Sequence, residues 1–212
     1  MIGGIILDTC LDDPRVARVT SVGRRTSGRE HAKLTEIVHA DLDDARAIAD
    51  ALVGVHVTFF CMGTYTGVVS DEELRRTTVD FARGFASVVA SRSPGSVFCL
   101  LSGHGADRSE SSRIPFKRYK GMAENALLKL EFSRVLSMRP GYIHPVEPRT
   151  EPNWMYRAMR WVFPLARVVF TNTGIRSTEL ARAMYRACFE PESGGKDVIY
   201  ENRDLRRLGE RE

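Results

Sequence analysis

Short runs of β-branched and apolar residues alternate along the chain with longer stretches of helical period. That alternation predicts an α/β architecture with a parallel sheet. Residues 55–61 are apolar on both sides, as expected of a strand covered by helices on both faces. Residues 96–101 and 132–138 repeat the pattern, while 16–22, 36–39 and 198–200 give shorter strands. Between them the period changes. Residues 3–11 form an apolar helix stopped by Asp12-Asp13-Pro14. A second helix runs from Asp41 through Leu52. A third is capped by Asp71 and extends to about residue 91, with Leu74, Thr78, Phe81, Phe85 and Val88 along one side. Residues 115–130 make a helix with proline in its first turn, and 177–189 make another. Pro145, Pro148 and Pro152 mark a loop. Residues 153–163 then read as a helix whose stripe of Trp154, Met155, Met159 and Trp161 suits the core or a homo-oligomer face better than a substrate lid. Residues 202–212 read as a charged, solvated tail.

Composition narrows the class. With 212 residues, 43% of them hydrophobic and 27% charged, the chain fits one large domain over residues 1–212 and is neither collagen-like nor disordered. No apolar run approaches the ~20 residues of a membrane span, and no secretory signal is visible, so no membrane partner is expected. Cys10, Cys61, Cys99 and Cys188 form no C-x-x-C pair. That favours a reducing, cytoplasmic setting over a disulfide framework or a zinc site. The five histidines make no H-x-x-x-H pair, so no metal is expected. The net charge of +4 is small and its signs are interleaved, which argues against a nucleic-acid partner.

The strand ends carry recognisable motifs. Ser102-Gly103-His104-Gly105-Ala106-Asp107 is followed by Phe116-Lys117-Arg118-Tyr119-Lys120-Gly121-Met122-Ala123-Glu124, then by Arg139-Pro140-Gly141-Tyr142-Ile143. With Cys61-Met62-Gly63-Thr64 and Val79-Asp80, this series resembles the short-chain dehydrogenase/reductase superfamily. More narrowly it resembles the atypical, NAD(P)-binding epimerase/dehydratase-like branch. The resemblance covers nearly the whole chain and implies a Rossmann-like, doubly wound parallel sheet with ligand at the carboxyl ends of its strands. It also implies a dinucleotide and a small-molecule substrate as partners, with residues 141–175 and 177–200 forming the substrate side. One part of the pattern is missing. Met1-Ile2-Gly3 matches only the last three positions of the family's G-x-x-G-x-x-G turn, and the preceding N-terminal strand is absent. The expectation is a start placed ~15 residues late, about one strand and its turn, or a degraded relative.

The resemblance assigns site residues position by position. Gly3 closes the glycine-rich turn. Arg24 and Arg25 follow the strand that meets the adenosine ribose. Arginine there suits a 2′-phosphate, so NADP is favoured over NAD, the competing reading being two solvated side chains in a turn. Asp41 and Leu42 match the position beside the adenine, although Asp41 also reads as a helix cap. Gly63 and Thr64 match the turn beneath the nicotinamide ribose and diphosphate. In the family's chemistry a serine holds the substrate oxygen, a tyrosine is the acid/base, and a lysine four residues later shares its helix face. Ser102 and Lys120 fit the first and last positions. Phe116 stands where the tyrosine belongs, and it has no proton to give. Tyr119, rotated ~100° around the helix, cannot take that place.

Two functions follow, an oxidoreductase or nucleotide-sugar epimerase-like enzyme, or a non-catalytic dinucleotide-sensing protein. A serine hydrolase is disfavoured because Leu100 occupies the first glycine position of the G-x-S-x-G elbow around Ser102.

Overall fold

The computed structural model describes residues 2–64, 68–146, 174–189 and 195–210. Every strand pairing among them is parallel. Helix α1 (Ile2–Asp12) precedes strands β1 (Val19–Gly23) and β2 (Leu34–Val38), which pair with each other. A 3-10 helix (Ala45–Leu52) leads to β3 (Val57–Phe60). Helices α2 (Asp71–Arg75) and α3 (Phe81–Arg92), joined by a π-helical turn (Arg76–Asp80), lead to β4 (Val97–Leu101). Helix α4 (Pro115–Leu128) crosses to β5 (Arg134–Arg139). A small pair of strands, β6 (Tyr142–His144) and β7 (Gly174–Arg176), precedes α5 (Ser177–Phe189), β8 (Asp197–Glu201) and α6 (Asn202–Glu210). The main sheet has the order β3-β4-β5-β8.

Helices cover both faces, which is why the central strands are apolar throughout. One core unites Ile2, Ile6 and Cys10 of α1 with Leu180 and Met184 of α5 and with Leu205 and Leu208 of α6, against Cys99, Leu136 and Met138 of the sheet. The opposite core joins Phe85 and Val89 of α3 and Leu127 of α4 to Phe60, Phe98 and Val135. Phe98 stands at its centre, 5.0 Å from the Phe132 ring and 6.0 Å from Phe60. This is the Rossmann-like, doubly wound parallel arrangement expected from the sequence.

The β1–β2 pair shares these cores without joining the main sheet. Val19 packs into the first core beside Val57 and Phe59, and Val22 into the second beside Phe60. Yet no backbone hydrogen bond among the described residues links β1 to β3.

Several local expectations are corrected. The stretch from Asp41 is a turn followed by a 3-10 helix, because short polar side chains bond nearby backbone: Asp41 accepts from the Asp43 N–H at 3.2 Å and Asp44 from the Arg46 N–H at 3.2 Å. The cap of α2 is Ser70, whose hydroxyl accepts from the Glu73 N–H at 3.2 Å. The C-terminal stretch is no solvated tail. Leu205 and Leu208, three residues apart in a charged background, bury one face of α6. The helix expected over 153–163, with its aromatic stripe, lies outside the described residues, as does most of 141–175.

Candidate functional site

The residues singled out above, those on helices apart, lie at or beyond the carboxyl ends of their strands. β1 delivers Arg24 and Arg25, both exposed and neither bonded to a described residue. β2 delivers Asp41, exposed, and Leu42, buried in the core. β3 delivers Gly63, exposed with open space where a Cβ would stand, and Thr64, half-buried. Gly3 lies against this end of β3, where a Cβ would come 3.4 Å from the Cys61 Cβ. The first turn of α1 therefore adjoins the same rim, and helix N-termini favour anionic groups.

At the end of β4 the chemistry is more specific. Lys120 of α4 is buried, and its ammonium donates to the Leu101 carbonyl at 2.8 Å. Burial lowers its pKa to about 8, against the opposing pull of Glu124 and Cys61. Ser102 is also buried, and its hydroxyl donates to Glu124 Oε1 at 2.6 Å. Glu124 has no exposure at all, and three further bonds reach it. Arg139 donates from Nε at 3.0 Å and Nη2 at 2.7 Å, and Arg108 from Nε at 2.6 Å. Burial pushes this carboxyl up, but the bonds from Arg139, Ser102 and Arg108 outweigh it and hold the group below the ordinary range. The two arginines extend to β8, Arg108 to Asp197 at 2.6 Å and Arg139 to Glu201 at 3.1 Å.

The Ser102 hydroxyl is thus committed to an internal network. The residue that faces Phe116 is Gly103, where a Cβ would stand 2.5 Å from the ring's Cζ. Phe116 lies directly on the Gly103 backbone, so neither position offers a hydroxyl. Nearby, His104 is exposed, with its ring Nδ1 3.7 Å from Glu201 Oε2, and the His104 backbone N–H donates to the Pro140 carbonyl at 2.9 Å. Tyr119, set aside above, donates to Asp71 Oδ2 at 2.6 Å and ties α4 to the start of α2.

Sequence reading missed Gly103, Arg108 and the coupling of Ser102 to Glu124. A glycine beside an aromatic residue thirteen positions later carries no periodic signal, and partners of a buried carboxylate are set by tertiary packing. Among the described residues, no cluster of histidine, cysteine and carboxylate side chains could hold a metal. No helix among them is long and apolar enough to cross a membrane.

Comparison with known proteins bears on the fold and the family. No protein-family model matches the chain. Protein fmp52, mitochondrial, of Aspergillus clavatus is 30% identical over 177 residues, covering 81% of this chain and 74% of its own length. Protein fmp52-1, mitochondrial, of Aspergillus terreus is 30% identical over 156 residues, and there the match spans 66% of the relative's length. Protein HTATIP2 of Rattus norvegicus is 26% identical over 98% of this chain and 84% of its own. Among solved structures, a short-chain dehydrogenase/reductase superfamily protein from Agrobacterium tumefaciens with bound NAD superposes with a TM-score of 0.66, at 13% identity over 95% of this chain and 74% of that one. The UDP-glucose 4-epimerase of Thermotoga maritima, solved with UDP-glucose, gives 0.64 with the same identity and coverage. At such identities the structures speak for the fold alone. The expected cytoplasmic location is overturned, since the fungal relatives are designated mitochondrial. The unpaired cysteines behind that expectation report on redox state and do not distinguish one compartment from another.

Proposed function

Because the chain belongs to the atypical short-chain dehydrogenase/reductases, in the group of the fmp52 proteins, we propose that it binds a nicotinamide dinucleotide, NADP in preference to NAD, without the family's usual acid–base chemistry. The dinucleotide lies across the strand ends. Gly3 and the first turn of α1 receive the pyrophosphate, Gly63 and Thr64 the ribose and diphosphate, and Lys120 the nicotinamide ribose. Arg24 and Arg25, exposed and unpaired among the described residues, meet the 2′-phosphate, a fork of N–H donors suited to a phosphate's oxygens. Lys120 supports the fit. Among the described residues this buried ammonium gives one hydrogen bond, to a carbonyl, and has donors left for ribose hydroxyls.

When bound, a reduced nicotinamide supplies hydride. This chain's own residues do not supply the accompanying proton in the family's way. The contact of Phe116 with Gly103 carries this reading, since it leaves no hydroxyl at either position, and that of Ser102 serves Glu124. A protein that holds a dinucleotide and reports its presence to a partner fits this site better than a carbonyl reductase.

Titration of NADPH and NADH into the full chain tests the cofactor, with tighter NADPH binding expected; equal affinity, or none, defeats it. Incubation with NADPH and a panel of aldehydes, ketones and nucleotide sugars tests the rest. No turnover above background is expected, and Ser102-dependent NADPH oxidation would restore the oxidoreductase reading that the retained Lys120 favours. Phe116→Tyr alone is expected to leave the protein inactive, because Ser102 cannot turn from Glu124 to a substrate. Gly103→Ser added to Phe116→Leu, which frees space for the new side chain, gives the hydroxyl without the clash and tests that geometry separately.

A further inference from the structure

The turn after β2 and the helices after β3 meet at a contact that the assignments above leave unused. Arg76 opens the π-helical turn, and its Nη2 lies 3.5 Å from Asp41 Oδ1. Its guanidinium carbon sits 5.2 Å from the centre of the Phe81 ring. The side chain is 49% exposed. Phe81 thus packs against the planar cation while about half of the side chain stays exposed. The turn carrying Asp41 is held in place from below. Leu42 is buried, and Gly84 of α3 packs so closely that a Cβ there would overlap the Asp43 carbonyl. π-Helical turns are uncommon and recur at functional sites. Here the π-turn bears an arginine that reaches Asp41 in the turn after β2.

We propose that Arg76 is a binding residue for the adenine ring of the dinucleotide, stacking its exposed part on the ring while its edge holds the Asp41 carboxylate. The inference rests on the dinucleotide reading and adds to it a residue and a basis for base selectivity. Three physical demands are met together. A planar guanidinium stacks on an aromatic face and is more weakly hydrated than an ammonium. An ionised carboxylate only accepts hydrogen bonds, so Asp41 welcomes the exocyclic amine of adenine and repels the carbonyl that hypoxanthine has in its place. The positive charge of Arg76 also offsets that of Asp41, which otherwise stands close to a polyanionic ligand. Val38, 60% exposed at the carboxyl end of β2, adds an apolar surface on the same rim.

The test is calorimetric titration of the full chain with NADP and with its hypoxanthine analogue. The wild-type protein is expected to prefer NADP by about tenfold, the net worth of one hydrogen bond at an exposed site. Arg76→Ala and Arg76→Lys should each weaken NADP binding by about fivefold, since lysine restores the charge but not the plane. Asp41→Asn, whose amide both donates and accepts, should erase the preference between the two bases. Thermal unfolding of each variant, expected to match wild type at these exposed positions, separates a lost contact from a damaged fold. Wild-type NADP affinity in both Arg76 variants overturns the proposal while leaving the dinucleotide reading intact. Rescue of full affinity by lysine alone overturns the stacking role. Failure of the wild-type protein to bind either dinucleotide overturns the underlying reading, and this one with it.

Discussion

Glu124 is fully buried, and four donors from three side chains converge on its two oxygens. Such a charge is costly to strand. Glu124→Gln replaces an acceptor with a donor facing two guanidinium groups, and the expected loss is about 3–5 kcal/mol in chemical denaturation. The acid sensitivity has a definite sign. A carboxyl held below its ordinary range stabilises the fold above that range and ceases to as the pH falls through its folded-state value. The stability gap between wild type and Glu124→Gln should therefore narrow on acidification, and a gap that widened would contradict the network. Lys120 behaves oppositely. Its pKa of about 8 lies below that of an unfolded lysine, so the native state binds fewer protons between the two values. Its burial penalty is full below about pH 8 and fades as the pH climbs toward 10.5, the ordinary lysine value. Lys120→Met removes that penalty. Relative to the variant, wild type should gain stability over this alkaline interval, which guanidinium titrations at several pH values would reveal.

Elements meet in this fold through glycines that admit no side chain. Gly121 of α4 lies against the Asp107 carbonyl and Gly209 of α6 against that of Glu179, each so near that a Cβ would overlap backbone. Gly121→Ala must push α4 off the loop that follows β4, carrying Phe116, Lys120 and Glu124 with it. The expected result is a protein that fails to fold or melts far below wild type, by circular dichroism. Leu205→Ala should cost about 2–5 kcal/mol, because α6 is part of the core, and a change within error would return the segment to the solvated tail expected from its charge. How far the sequence discloses these elements depends on their period. Strands such as 97–101, apolar on both faces, stand out unaided, as does α5. The turn at 41–44 and the π-turn at 76–80 do not, since side chain–backbone bonds and one inserted residue leave the hydrophobic pattern unaltered. At the site, motif spacing brings out Lys120 and Phe116. Their neighbour Gly103 becomes meaningful only once α4 is packed on β4.

At the scale of the whole molecule, the β1–β2 ladder and the β3-β4-β5-β8 ladder are separate hydrogen-bonded bodies among the described residues. They adhere through side chains, since Val19 and Phe59 pack against one core and Arg18 donates to the Val53 carbonyl. A ladder bond resists opening only together with its neighbours, so the β1–β2 ribbon can loosen while β3-β4-β5-β8 stays closed. Amide hydrogen exchange would resolve the two bodies, with Val19–Gly23 and Leu34–Val38 exchanging faster than Val97–Leu101. Uniform protection would show that the cores alone weld them into one cooperative unit. The proposed ligand has an anchor on each body, Arg24 and Arg25 on one, Lys120 on the other. A molecule bound across both stabilises only the closed form, by an amount that grows with its concentration. The ribbon's exchange rate thus becomes a gauge of occupancy, slowing as NADP is added while the central strands scarcely respond. Through that seam, cofactor abundance would be written into the mobility of one edge of the protein.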